Sequence, residues 1–297
     1  MGITIAIQPR TRSLTTRARV KSVGKITDTK SDDRIDDAIV AMSDAIAAHC
    51  GREFARASVV ERLGSDGGIY LQLSRYPVVS LGVITYRGDT ISNVTIDDTE
   101  SGLIYREGGF VDSHTQRWTL DRFEVPNGLR SDWLVPYVCG YLLPSDDLVG
   151  VRSDISAAAS DSSLNSVGAK FPALLQAGDV ITVSGFATAA NNGTFAVVSA
   201  TTSKIIVAGS LVTEASSATT AVSIRCSTLP DSVERACILA TLDQTLNAHR
   251  NESVRDKTVG DTRLSYVDRG VVSADAAVVL PPRALALLRP YCAIVVA

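Results

Sequence analysis

The side chains best suited to catalysis or metal binding are few in this sequence, and their spacing fits none of the common catalytic patterns. The histidines stand far apart and form neither an HExxH pair nor another paired-ligand spacing of a zinc site: His49, His114 and His249. The patterns GxSxG, GxxxxGK(S/T) and GxGxxG after a strand do not occur. The acidic pairs Asp97-Asp98 and Asp146-Asp147 are adjacent, and neighbours on a strand point to opposite faces. We therefore expect no enzyme, no metal and no cofactor.

The composition is typical of a soluble globular protein. Of the 297 residues, 45% are hydrophobic and 21% charged, and the formal net charge of -3 does not suit a polyanion-binding chain. The apolar runs are shorter than the roughly 20 residues that span a bilayer. No basic segment precedes the apolar stretch at the start, so we expect no signal peptide. An odd number of widely spaced cysteines favours free thiols in a reducing cytoplasm: Cys50, Cys139, Cys226, Cys237 and Cys292.

Positive charge is concentrated near the start of the chain. Residues 1–30 carry seven basic residues against a single acid, Asp28. This pattern has two interpretations: a solvated face of a short first helix near 15–23, or a surface that contacts an acidic partner or DNA phosphate. The second interpretation, extended to two residues near position 290, gives these candidates for partner or DNA contact: Arg10, Arg12, Arg17, Arg19, Lys21, Arg289 and Tyr291.

Hydrophobic periodicity predicts a helix followed by a sheet in the first half of the chain. Ser31 is a good N-cap, acidic residues follow in the first turn, and an apolar stripe at helical spacing runs up to Gly51. Residues 58–140 instead alternate apolar and polar side chains between turn signals, which predicts a small antiparallel sheet with one strand near 118–125.

The composition changes near residue 148. From 148 to 227 the chain is rich in Ser, Thr, Ala and Val and poor in charge, which predicts a separate small β domain with a mobile lead-in at 153–166. Helical periodicity returns at 231–249, and a last short helix starts at Pro281-Pro282. The predicted fold class is α+β: a helical domain with a small antiparallel sheet, interrupted by an inserted all-β module.

Several short segments in a fixed order carry a resemblance to a known family. They are Leu14–Thr16 with Val20-Lys21, Asp32–Phe54 with its Cys-Gly-Arg-x-Phe ending, Leu73–Ser80, Tyr137–Tyr141 with Leu143-Pro144, Leu229–Cys237, Val259–Tyr266 and Leu287–Tyr291. Their order and spacing resemble the head–tail connector, or adaptor, family of long-tailed bacteriophages. The resemblance covers most of 14–147 and 228–291. It departs from the family at 148–227, which is an insertion.

The resemblance implies a structural virion protein with a helical connector domain. In this family twelve copies form a ring under the portal of the head, and a stopper or tail-completion protein binds the distal face. DNA passes through the axial hole without sequence-specific binding. The resemblance also implies a location in the virion neck, after assembly in the host cytoplasm. The implied domains are a basic arm with the first helix at 1–30, an adaptor domain at 31–147 with 228–291, the inserted β domain at 148–227 and a tail at 292–297.

Two other functions stay open on the sequence alone. The inserted β module suits a decoration or a host- or glycan-binding module of the virion. Its aromatic residues, Phe171, Phe186 and Phe195, are few for stacking on sugars. The third possibility is a phage-encoded hydrolase whose site is assembled from scattered residues.

Overall fold

The computed structural model describes residues 2–9, 11–110, 133–149, 154–168, 170–216, 222–247, 256–259, 262–265 and 280–292. The chain folds into two compact units. The first, which we call the sheet unit, consists of Met1–Arg10, Glu53–Leu142 and Asp146–Ser227. The second, the helix unit, consists of Thr11–Arg52, Leu143–Ser145 and Thr228–Ala297.

The first part of the sheet unit is built around two long strands that pair with each other. Its strands are β1 (Gly2–Ile7), β2 (Ala57–Leu63), β3 (Tyr70–Gln72), β4 (Val78–Leu81), β5 (Ile84–Tyr86), β6 (Asp89–Ile91), β7 (Val94–Asp98), β8 (Leu103–Arg106) and β9 (Trp133–Cys139). The antiparallel order is β1-β2-β9-β5-β6, and β4 also pairs with β9. A smaller sheet has the order β3-β8-β7. The long strands β2 and β9 therefore hold most of this part together.

Alternation in the sequence determines which face of this sheet is buried. In β2 the residues Ala57, Val59, Glu61 and Leu63 are buried, and those between them are more exposed. Val59 lies opposite Tyr137 of β9. Successive strand residues point to opposite faces, so this register places one complete face of the sheet in a core that Trp133 helps to fill.

The second part of the sheet unit is a separate antiparallel sheet. Its strands are β10 (Ile155–Ala158), β11 (Ser163–Ser166), β12 (Val180–Ser184), β13 (Gly193–Ala200), β14 (Lys204–Ala208) and β15 (Ser223–Arg225), in the order β10-β11-β14-β13-β12-β15. The β structure predicted for residues 148–227 is confirmed by these six strands. The prediction of a mobile lead-in at 153–166 was wrong, because β10 and β11 pair there and bury Ile155 and Leu164.

The helix unit has an apolar helix at its centre. Its elements are α1 (Arg17–Gly24), α2 (Asp32–Cys50), α3 (Asp231–Asn247), a hairpin of β16 (Asp256–Val259) and β17 (Thr262–Ser265), and α4 (Pro282–Leu288). α3 contacts α1, α2 and α4. The predicted limits of α2 are confirmed, since Ser31 precedes it and Gly51 ends it in the left-handed conformation, with φ 64°.

The predicted fold class was wrong. The described residues contain seventeen strands against four α-helices, so the protein is mainly β and is not a helical domain with a small sheet. Residues 2–7 form an edge strand that adds to the first sheet, and the short strands between 84 and 106 add more. Short strands carry too few residues to show a clear period of two, whereas the helices show their periodicity over many turns. The predicted strand near 118–125 lies outside the described residues.

Within the described residues, every helix is too short or too polar to cross a membrane.

The carboxylate of Glu214 forms a cluster of hydrogen bonds in the second sheet, which we call the Glu214 latch. Glu214 accepts hydrogen bonds from the backbone N–H groups of Ala187 (2.8 Å) and Thr188 (3.0 Å) and from Nδ2 of Asn191 (3.1 Å). Burial alone would raise the pKa of Glu214, but the hydrogen bonds from Thr188 and Ala187 outweigh it, and the net pKa is lowered. The folded protein therefore favours the charged form of this side chain.

The Glu214 latch makes the stability of this sheet depend on pH. Because the pKa of Glu214 is lowered in the folded state, this side chain contributes to the free energy of unfolding. The contribution is fully present above the ordinary pKa of about 4.5 and is lost as the pH falls through the lowered pKa. We expect Glu214→Gln to lower the melting temperature by a few degrees at neutral pH, and by less as the pH approaches about 3. Thermal unfolding of both proteins across this range measures the difference. An equal difference at every pH would show that the charge is not its source.

Candidate functional site

Potential metal ligands are dispersed in the described part of the chain. Among them, no three His, Cys, Asp or Glu side chains lie close enough to hold a metal ion. His49 is exposed at the end of α2. His114 and His249 lie outside the described residues.

The cysteines are free thiols, as predicted, and four of the five are buried. Burial raises the pKa of Cys139 and of Cys237 to about 11, so both thiols are protonated near neutral pH. A protonated, buried thiol is a poor nucleophile, and these two cysteines act as small apolar residues in their cores.

Three of the predicted contact residues lie on α1 and form ion pairs within the helix unit. Arg17 is hydrogen-bonded to Asp36 and Asp32, in that order of strength, and these bonds raise its pKa. Lys21 donates to Asp32 at 2.6 Å and is the main cause of the lowered pKa of that carboxyl. The charges on this side of α1 are therefore largely balanced inside the unit.

Arg19 pairs with a buried carboxylate of α3. Its guanidinium donates to Oε2 of Glu234 at 2.6 Å, and the hydroxyl of Thr15 donates to Oε1 at 3.1 Å. Glu234 is 6% exposed. The ion pair between Arg19 and Glu234 therefore holds α1 against α3.

The remaining predicted contact residues are Arg10, Arg12, Arg289 and Tyr291. Arg12 and Arg289 are exposed, and Tyr291 is half-buried with its hydroxyl 3.0 Å from the Ser232 hydroxyl. Arg10 lies outside the described residues. Partner or DNA contact by these residues therefore stays a prediction.

Residues that carry the family resemblance meet in one backbone joint of the sheet unit. We call Phe54, Ala55, Pro77, Gly140 and Tyr141 the Gly140 joint. The amide of Tyr141 donates to the carbonyl of Phe54 (2.7 Å), and that of Gly140 donates to the carbonyl of Pro77 (2.8 Å). The rings of Phe54 and Tyr141 stack with their centroids 6.5 Å apart. Three of the resembling segments, those around 54, 77 and 140, thus contact one another.

The glycine in this joint is required by its surroundings. Gly140 has φ 88°, which L side chains rarely adopt. A Cβ atom there would lie 2.7 Å from the carbonyl oxygen of Ala55 and 2.9 Å from that of Phe54. Backbone atoms cannot move aside as a flexible side chain can, so only glycine fits this position.

A buried acid joins two of the same segments. Glu61 is fully buried and accepts hydrogen bonds from the hydroxyl of Tyr137 (2.7 Å), the amide of Ser74 (3.1 Å) and the hydroxyl of Ser74. Burial raises the pKa of Tyr137 well above its usual range, and the hydrogen bond to Glu61 raises it further. Glu61 was not predicted as a site residue, although an acid at an inward position of an alternating strand is a signal that could have identified it.

An ion pair connects the Gly140 joint to the second sheet. Arg56 and Asp179 are both buried, at 5% and 8% side-chain exposure, and Nη1 of Arg56 lies 2.5 Å from Oδ2 of Asp179. Arg56 also donates to the carbonyls of Gly140 and Leu174, both at 3.3 Å. Asp179 also accepts from the amide of Gln176 at 2.8 Å. Both members of the pair thus have further hydrogen-bond partners besides each other, as burial of charge requires.

A cavity of about 340 Å³ lies beside this pair, inside the sheet unit. Its lining is mostly apolar, with Pro9, Leu142, Phe171 and Leu174 among the lining residues. Arg56 also lines it, but its guanidinium is committed to Asp179. Asp146 and Lys170 line the cavity as well.

Other resembling segments meet around α3 in the helix unit. The amide of Leu14 donates to the hydroxyl of Ser43 in α2 at 3.0 Å, and the same hydroxyl lies 3.6 Å from Sγ of Cys237 in α3. The hydroxyls of Ser232 and Tyr291 link the start of α3 to the turn after α4. Four resembling segments, around residues 14, 43, 237 and 291, therefore share this core.

Comparison of the sequence with models of protein families and with curated proteins gives no match.

Proposed function

We propose that the protein is a non-enzymatic structural component of a tailed bacteriophage, an adaptor that joins the portal of the head to the tail. Several copies form a ring, the portal binds one face, and a stopper or tail-completion protein binds the other. DNA passes through the central opening. The protein acts in the neck of the virion, after assembly in the host cytoplasm.

The observation that carries this proposal is the meeting of the resembling segments. The segments around Phe54, Pro77 and Gly140 were identified separately along the chain, and they share the hydrogen bonds of one joint. Gly140 in particular stands where no other residue fits. Short matches that arise by chance have no reason to converge in space or to occupy positions with such strict requirements.

The charge of the protein is compatible with DNA passage. A channel that lets DNA slide must not bind phosphate strongly, and binding strength grows with the number of phosphates that Lys and Arg neutralise. The net charge is -3, and Arg17, Arg19 and Lys21 are paired with carboxylates. These features favour weak contact with a passing duplex.

A reconstitution experiment tests the proposal. In the phage that encodes the chain, inactivation of its gene is expected to give DNA-filled heads and complete tails that are not joined. Addition of the purified protein to a lysate of these particles is expected to restore infectious phage by at least about a hundredfold, measured by plaque counts, whereas buffer alone restores none. Joined, infectious particles in the absence of the protein would refute the adaptor function.

A further inference from the structure

The outward face of α2 is acidic, with one apolar residue at its centre. Asp33, Asp37, Val40 and Asp44 follow one another at helical spacing, and all four are exposed. Val40 is 54% exposed, which is high for a residue of its kind. Within the part of the chain that the structure describes, the carboxylates of these three aspartates make no hydrogen bond and no ion pair.

The outward face of α4 and the turn after it is basic. Ala284 and Leu288 are buried, so the exposed residues Arg283, Ala286 and Arg289 lie on the other side. Neither arginine pairs with an acid among the described residues. Like α2, α4 packs on α3, and the outward faces of both helices are exposed.

The two faces match in spacing as well as in charge. A helix rises about 1.5 Å per residue, which places Asp37 and Asp44 about 10 Å apart along α2. The same rise places Arg283 about 9 Å from Arg289, the first residue of the turn after α4. In each face a smaller residue lies midway between the charges, Val40 in the first and Ala286 in the second.

We infer that the α2 face of one copy of the chain binds the α4 face of the next copy. Val40 packs against Ala286, and the two arginines pair with Asp37 and Asp44. Opposite charge on two different faces of the same unit specifies a second copy as the partner, because each copy offers both halves of the contact.

Such a contact is heterologous, and it generates a ring when the rotation between copies closes. The inference deepens the proposed function and rests on it for ring closure. It assigns a role to Arg289, which the sequence analysis predicted as a contact residue without naming its partner.

Charge reversal tests the interface. We expect Asp37→Arg with Asp44→Arg, and separately Arg283→Asp with Arg289→Asp, to raise the dissociation constant for self-association about tenfold or more. Sedimentation velocity over a range of concentrations measures this. The control, Asp89→Arg with Asp97→Arg, makes the same charge change at exposed positions of the sheet unit and is expected to leave association unchanged. Circular dichroism and melting temperature establish that each variant folds.

Restoration of association by compensating charge reversals makes the test specific for this interface. A copy with all four reversals has the same complementarity with the signs exchanged, and it is expected to associate like the wild type. An equimolar mixture of the two double variants is expected to associate like the wild type, although each variant alone associates more weakly. Association of the wild type is also expected to weaken as salt rises from about 0.05 M to about 1 M, because screening acts on exposed charges.

The outcomes separate this inference from the proposed function. If the wild type associates and the double variants associate equally well, the interface is wrong and the adaptor proposal is unaffected. If the wild type stays monomeric at every concentration, the interface is also wrong, and the reconstitution experiment still judges the adaptor function. If reconstitution fails while the reversal pattern is as expected, the interface holds and the adaptor function does not.

Discussion

Replacement of Arg56 by leucine lowers the free energy of unfolding of the sheet unit by about 3–5 kcal/mol, which is typical when one partner of a buried ion pair is removed. The loss arises because Asp179 stays buried, at 8% side-chain exposure, without the cation that balances it. The carbonyls of Gly140 and Leu174 also lose a donor. Guanidinium unfolding followed by tryptophan fluorescence measures the effect, since Trp133 is fully buried in this unit.

Two further variants establish that the loss comes from the unpaired charge. Arg225→Leu removes an exposed arginine in β15, and we expect it to change the free energy of unfolding by less than about 0.5 kcal/mol. The double variant Arg56→Leu with Asp179→Leu is expected to recover most of the stability, since apolar replacement of a whole buried pair is often neutral. A double variant that is less stable than Arg56→Leu alone would contradict this account.

Gly140→Ala is expected to lower the free energy of unfolding by about 2–4 kcal/mol, which combines left-handed backbone strain with a clash. The new methyl group would lie 2.7 Å from the carbonyl oxygen of Ala55, so the hydrogen bonds of the Gly140 joint must distort. Chemical denaturation with the same fluorescence signal measures the change.

Gly88→Ala is the matched control for Gly140→Ala. Gly88 has a similar backbone angle, φ 98°, but no atom within 4 Å of an added Cβ. It reports the cost of the backbone angle alone, which we expect to be about 1–2 kcal/mol. Equal losses at the two positions would show that the close contact at Gly140 contributes nothing, and would weaken the argument that the joint requires glycine.

The helices could be predicted from the sequence because their signals are local. Ser31, the acidic first turn and Gly51 bracket α2, and its apolar stripe spans several turns. The extent of the sheets was underestimated because strand pairing is not local. β1 pairs with β2, more than fifty positions away, and a six-residue strand shows too little alternation to predict such a partner.

The same difference explains the residues that the sequence analysis missed. Arg56 and Asp179 are separated by 123 positions, and nothing near either residue indicates that the other will lie against it. The burial of Glu61 could have been predicted, since Ala57, Val59 and Leu63 mark the inward side of β2 and Glu61 lies on the same side. The resemblance located Gly140, and the structure supplied the reason why glycine stands there.

Electron microscopy of the purified protein is the decisive test of the adaptor function. We expect closed rings of identical copies with an open axial hole, and a ring of the same diameter in the neck of intact particles between portal and tail. Single copies at every concentration, together with a neck that lacks this protein, would contradict it.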